Sequence, residues 1–218
     1  SKGELTPEKQ PFDFYSNPLF KNPDTKKSLS IIFQFGIRIL KRTFENLFYE
    51  EQWIISHSKT NNAEESFYRF QNLVPPKGIS WADPFPVYYD NELWLFAEEI
   101  IGKGLGKIVC FKYSKEEKRF GNPQTVIQES FHLSYPFVFQ YENAWYMMPE
   151  TGDSSNVILY KSESFPYKWA KEKTVVENKK LYDATPFEHN GKWYCFASER
   201  SKATLTPNDL LQLYILKD

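Results

Sequence analysis

Three stretches spaced about fifty residues apart repeat one another, and this limits the folds open to the chain more than any other feature. WADPFPVYYDNELWLFAEE (81–99), LSYPFVFQYENAWYMMPET (133–151) and YDATPFEHNGKWYCFASER (182–200) share one order of parts. Each has a Pro-Phe, a strand-like segment, a polar turn, an aromatic-rich segment and a glutamate. The turns are Asp90-Asn91, Glu142-Asn143 and Asn190-Gly191, and the last is the strongest hairpin signal in the chain. Pro84 and Pro136 are 52 residues apart, and Pro136 and Pro186 are 50 apart.

The spacers repeat too. GKIVCFKY (106–113), NVILYKS (156–162) and LLQLYIL (210–216) read as third strands, and NPQTVIQES (122–130) and KEKTVVENK (171–179) as fourth strands. Four antiparallel strands per repeat define the blade of a β-propeller, because one such sheet cannot bury both faces without neighbours stacked around an axis. An aromatic content of 18% suits pleated, half-buried strands. The expected fold class is all-β, with blades near 81–131, 132–181 and 182–218. About three blades are too few to close a ring, since propellers use about four or more. The expectation is therefore a fragment or processed chain, with a missing C-terminal segment or a partner chain completing the propeller.

Ahead of the repeats the pattern differs. Residues 1–28 are polar and rich in Pro and Asn, which predicts coil or partial disorder. Residues 29–49 carry Ile32, Phe35, Ile39, Leu40, Phe44, Leu47 and Phe48 at three- and four-residue steps, which predicts an amphipathic helix with Ser28 or Ser30 as its cap. Its Arg38, Lys41 and Arg42 invite a membrane-surface reading. Packing on the main domain is the plainer alternative. The domain division is thus 1–50, an extended lead and helix, and 51–218, a propeller portion in which QWIISHS and SFYRFQNL add short strands.

Charge and cysteine use exclude several classes. The net charge is −1, from 27 basic and 28 acidic residues, so no global field favours nucleic acid. Cys110, Cys195, His57, His132 and His189 show no metal-ligand spacing. Free thiols and the polar start SKGELTPEKQ, which has no signal-peptide character, lead to a cytoplasmic expectation. No apolar run reaches the roughly 18 residues that a membrane-spanning helix needs.

The strings WADPF, FHLSYPFVF, WYMMPET, FPYKW (165–169) and DATPF with WYCFAS together resemble one family. It is the five-bladed propeller found as the N-terminal domain of plant glucosamine inositolphosphorylceramide transferases and in bacterial proteins, some with a formyltransferase-like domain. The resemblance runs from about Glu51 to Asp218 and ends after the third blade. That family is in turn similar to five-bladed glycosidases of families 43, 32 and 68, which use inner-strand aspartates and a glutamate acid. The resemblance implies that Asp83 matches the first aspartate, that Asp183 occupies the later one loosely, and that Glu150 is the acid candidate. Glu150 follows a second strand, which departs from the glycosidase pattern.

Glycoside hydrolysis needs two carboxyl groups, one protonated and one ionised. Asp83, Glu150 and Asp183 are the catalytic candidates on this reading, with Asp83 as base or nucleophile, Glu150 as acid and Asp183 tuning its neighbours. Trp81 and Tyr135 are candidates for stacking on a sugar, and His132 and Glu199 for hydrogen bonding to one. The plainer readings are a turn-forming Asp-Pro at Asp83, a structural His132, core indoles at Trp94 and Trp145, and solvated strand ends at Glu98, Glu99 and Glu199. No cofactor is expected, apart from a channel cation such as calcium. GKGLGK (102–107) lacks the phosphate-loop pattern and reads as a turn. Two functions stand side by side: a carbohydrate-active site at the channel mouth, and a non-catalytic domain that binds glycan or protein within a glycan-biosynthesis enzyme. A scaffold closed by another subunit is a third.

Overall fold

The computed structural model describes residues 23–49, 51–58, 67–199 and 210–216. The coil expected at the start falls, up to residue 22, outside the described residues. Two compact units divide at Glu50 and Glu51.

The first unit holds one helix, α1 (Thr25–Phe48), which begins four residues before the periodic apolar pattern. The cap is Asp24 rather than Ser28 or Ser30. Its Oδ1 accepts the Lys27 N–H at 2.8 Å, which satisfies a first-turn donor that the helix itself cannot pair.

In the second unit, β1 (Ile55–His57) and β2 (Gln71–Leu73) form a short antiparallel ribbon. The first blade follows as β3 (Ile79–Tyr89), β4 (Glu92–Ile101), β5 (Lys107–Ser114), the two-residue β6 (Arg119–Phe120) and β7 (Gln124–Ile127). The second is a four-stranded sheet of β8 (Ser134–Tyr141), β9 (Ala144–Glu150), β10 (Val157–Ser164) and β11 (Lys168–Val176). The third has β12 (Leu181–His189), β13 (Lys192–Glu199) and β14 (Leu211–Ile215). All pairings are antiparallel between neighbours, so the fold is a β-propeller portion, with an N-terminal helix in the separate unit.

Each first hairpin turns through two left-handed residues, with φ of 50° and 57° at Asp90-Asn91, 45° and 62° at Glu142-Asn143, and 52° and 70° at Asn190-Gly191. That geometry matches the twist of the flanking strands, and Asn, Asp and Gly adopt it at low cost.

Strand alternation sends side chains to both faces of every blade, so the middle strands are apolar on both. Along β4, Trp94 and Phe96 enter the layer between the first two blades, with Ile108, Leu133 and Met147. Leu95 and Ala97 enter the opposite layer, with Trp81, Phe111 and Ile55 of β1. A third layer joins blades two and three through Met148, Leu181, Ala184 and Cys195. Phe96, Ile108, Leu133 and Met147 are all fully buried. Each such side chain contributes roughly 1.5–3 kcal/mol by leaving water, which makes the seams between blades the main stabilising layers.

Strand register corrects the alignment of the third repeat. Pro86 pairs with Leu95 and Pro186 with Cys195, so Pro186 corresponds to Pro86 and not to Pro84. Ala184 takes the place of Pro84 and Pro136.

Candidate functional site

The innermost strands β3, β8 and β12 all break register at the same depth, between Ala82 and Phe85, Ser134 and Phe137, and Tyr182 and Thr185. Asp83, Tyr135 and Asp183 sit in these breaks with φ of 48°, 43° and 52°. Left-handed backbone disfavours residues with a Cβ, at about 1–3 kcal/mol each, and persists where surrounding structure enforces it. Here the enforcing contacts are visible. The Tyr135 N–H donates to Asp83 Oδ2 at 3.1 Å, and the Asp183 N–H donates to Glu150 Oε2 at 3.2 Å. In both, a carboxylate on one blade binds the kinked amide of the next.

Asp83, Glu150 and Asp183 are therefore brought together along one arc. Asp83 and Asp183 are exposed and Glu150 is half-buried. Burial, and then the charge of Asp183, push the Glu150 pKa up to about 7. Burial, and then the charge of Asp83, raise that of Asp183. The Asp183 N–H bond to Glu150 Oε2 works against the Glu150 rise without cancelling it. Glu150 therefore keeps its proton through the acid range, up to about pH 7. A neutral carboxyl both donates and accepts, whereas an ionised carboxylate only accepts. The cluster thus offers both kinds of group to a ligand rich in hydroxyls.

Tyr135 closes the arc between them, with its hydroxyl 3.0 Å from Thr185 Oγ1. His132 lies at the seam of blades one and two. Its Nδ1 accepts the Gly106 N–H at 2.9 Å, and its Nε2 is 2.9 Å from Glu98 Oε1. The second contact is off the hydrogen-bond axis and leaves Glu98 Oε1 without a well-aligned donor. The Glu98 carboxylate raises the His132 pKa, while the amide pointing at Nδ1 resists a second ring proton.

Trp81 and Glu199 stand apart from this group. Trp81 is 5% exposed, lies edge-on to Phe111, and donates its indole N–H to Glu99 Oε2 at 2.8 Å. Glu199 Oε2 accepts the Tyr214 hydroxyl at 2.7 Å and lies 3.9 Å from Lys179 Nζ. The solvated strand ends expected at Glu98 and Glu99 are corrected: they are 5% and 7% exposed. Glu98 is covered at the seam by His132, and Glu99 within its own blade by Trp81 and by Lys107, whose Nζ sits 3.1 Å from Glu99 Oε1.

Glu98, Gly106 and Thr185 were not candidates from sequence. Spacing carried a signal for Glu98, which follows Asp83 by the same interval as Glu150 follows Tyr135. Gly106 carried none beyond its turn. A Cβ there would lie 2.4 Å from Leu133 O, 2.6 Å from Glu98 Oε1 and 2.8 Å from His132 Cε1, so only glycine fits. Among the described residues no group of three His, Cys, Asp or Glu is arranged to hold a metal ion.

The α-L-arabinofuranosidase from Lactobacillus brevis shares this fold, with a TM-score of 0.54 at 7% identity, covering 74% of this chain and 61% of that one. "Glucosamine inositolphosphorylceramide transferase 1" of Oryza sativa subsp. japonica is 33% identical over 134 residues, covering 61% of this chain and 18% of the relative. The Arabidopsis thaliana protein of the same name is 31% identical over 134 residues, covering 61% of this chain and 17% of the relative. The matched stretch spans less than a fifth of either relative. The family described as "Glucosamine inositolphosphorylceramide transferase 1, N-terminal" matches residues 75–217, the whole run of blades, and the chain belongs to that family.

Proposed function

We propose that this domain binds the sugar part of a glycoconjugate at the mouth formed by the starts of β3, β8 and β12. The observation that carries the reading is that Asp83, Glu150 and Asp183 line the kinked starts of three successive inner strands, tied blade to blade by the Asp83–Tyr135 and Glu150–Asp183 hydrogen bonds. Sugar hydroxyls need acceptors and donors at close range, and this arc supplies both. Tyr135 and His132 border the arc and add a hydroxyl and an imidazole. The relatives' name, a transferase of glucosamine and inositolphosphorylceramide, agrees with a sugar-bearing ligand. In a longer protein of this family the domain would hold the sugar while transfer proceeds elsewhere.

The test is titration of the full chain with glucosamine, N-acetylglucosamine, arabinose and inositol phosphate, followed by NMR line broadening. At least one should bind. Asp83→Asn and Glu150→Ala should each weaken it about tenfold or more, as expected for losing a hydrogen bond to the ligand and leaving its partner unpaired. Unchanged binding in both variants would remove the carboxylates from the site.

A second reading rests on the Glu150 pKa of about 7, which suits a general acid at neutral pH. On it, Glu150 protonates a leaving oxygen, Asp83 acts as base or nucleophile, and Asp183 holds the proton on Glu150. Release of reducing sugar that peaks near neutral pH and falls at least a hundredfold in Glu150→Gln would establish it. Binding without any release leaves the first reading standing alone.

A further inference from the structure

Helix α1 carries an apolar arc and a basic arc that the propeller site does not use. Leu29, Phe33, Ile37, Leu40, Phe44 and Leu47 recur at steps of four, four, three, four and three, which at about 100° per residue places them within one narrow stripe. All six are at least half exposed, from 50% at Ile37 to 74% at Leu47. Arg42, Arg38 and Lys27 fall on the opposite side, with Lys41 nearer the edge of the stripe and Lys26 on the apolar side. The helix holds five cations, Lys26, Lys27, Arg38, Lys41 and Arg42, against a single acid, Glu45. The whole chain has a net charge of −1, so this positive charge is local.

We infer that α1 is a membrane-surface anchor that lies flat on an anionic phospholipid bilayer. The apolar stripe enters the boundary between headgroups and acyl chains while the cations meet lipid phosphates and carboxylates. No described helix is long and apolar enough to cross a membrane, so α1 lies along the surface and does not span it. A second copy of α1 is the less suitable cover for the stripe. Two such helices side by side would bring ten cations against two acids, with only the intrahelical Lys41–Glu45 pair at 3.7 Å to offset them. An anionic surface reverses that repulsion. Each Lys or Arg held near such a surface strengthens binding by up to about fivefold. The inference is independent of the sugar site.

The experiment is co-sedimentation of the full chain with phosphatidylcholine vesicles, with and without phosphatidylserine. The wild type should sediment with the phosphatidylserine vesicles and stay in solution with phosphatidylcholine alone, and added salt should release it. The triple variant Arg38→Glu, Lys41→Glu, Arg42→Glu should lose at least tenfold in partition. The triple variant Phe33→Ser, Leu40→Ser, Phe44→Ser should lose it as well. Near-UV circular dichroism of the propeller aromatics checks that both variants keep their fold. Equal partition into both vesicle types, no partition at all, or indifference to charge reversal would overturn the inference. So would a concentration-dependent dimer, seen by sedimentation velocity, that the serine variant abolishes in the absence of lipid binding.

Discussion

At Glu150, burial and the charge of Asp183 act in one direction, and the consequence is a dependence of stability on pH. The folded chain keeps the Glu150 proton to about pH 7, above the ordinary carboxylate value of 4.5. Between these values the folded state binds more protons than the unfolded one, so stability is fully present at the acid end and falls as pH rises. His132 acts in the same sense, since Glu98 raises its pKa above 6.5. Urea denaturation should show the wild type losing on the order of 1–2 kcal/mol from pH 4.5 to 7, with solvent screening discounted. Glu150→Gln should flatten that slope, and an unchanged slope would mean that Glu150 titrates in the folded chain where it does in the unfolded one. Asp83 and Asp183 were readable at matched points of the repeat, where the second blade has Tyr135, and Glu150 at the point that matches Glu98. The left-handed backbone beneath them was not. Tyr135 is a residue that ordinarily avoids positive φ, so nothing in its type marks the kink.

Among the elements, the strands and their order could be read from alternation and turn chemistry. The first hairpins turn at Asp90-Asn91, Glu142-Asn143 and Asn190-Gly191, where the sequence placed them. The start of α1 was less legible, because a cap lies outside the apolar period and Asp24 competes with several nearby serines. The offset of Pro186 was hidden for a related reason: dipeptides repeat more freely than register does. The approach of β5 to β8 depends on two distant segments and has no local signature. Gly106 makes that approach possible, since its neighbour Leu133 O is backbone and cannot rotate away. Gly106→Ala should therefore lower stability by about 1–3 kcal/mol, the usual cost of overpacking. A thermal melt should show a loss of several degrees. An unchanged melting temperature would show that β5 can step away from β8.

For the molecule as a whole, propeller architecture follows from repetition, and the physics of the seams follows from alternation. Cys110 and Cys195 lie in two different seams, each 1% exposed. Burial raises both thiols, Cys195 to about 11. Neither should react with Ellman's reagent at neutral pH until the blades separate, and both should then react together in urea. Rapid labelling of one thiol in the native chain would mean that its seam opens alone. How closely the carboxylates approach one another could not be read from sequence, because it depends on how far each blade turns from the last. The carboxylate of one blade that fixes the kinked amide of the next has a consequence for how such chains diversify. The heritable module is not the blade as drawn. It runs from the inner strands of one sheet to the first strand of its successor, Asp83 travelling with Tyr135 and Glu150 with Asp183. Recombination that cuts between them would separate a lock from its key, whereas a cut in the outer strands would pass unnoticed.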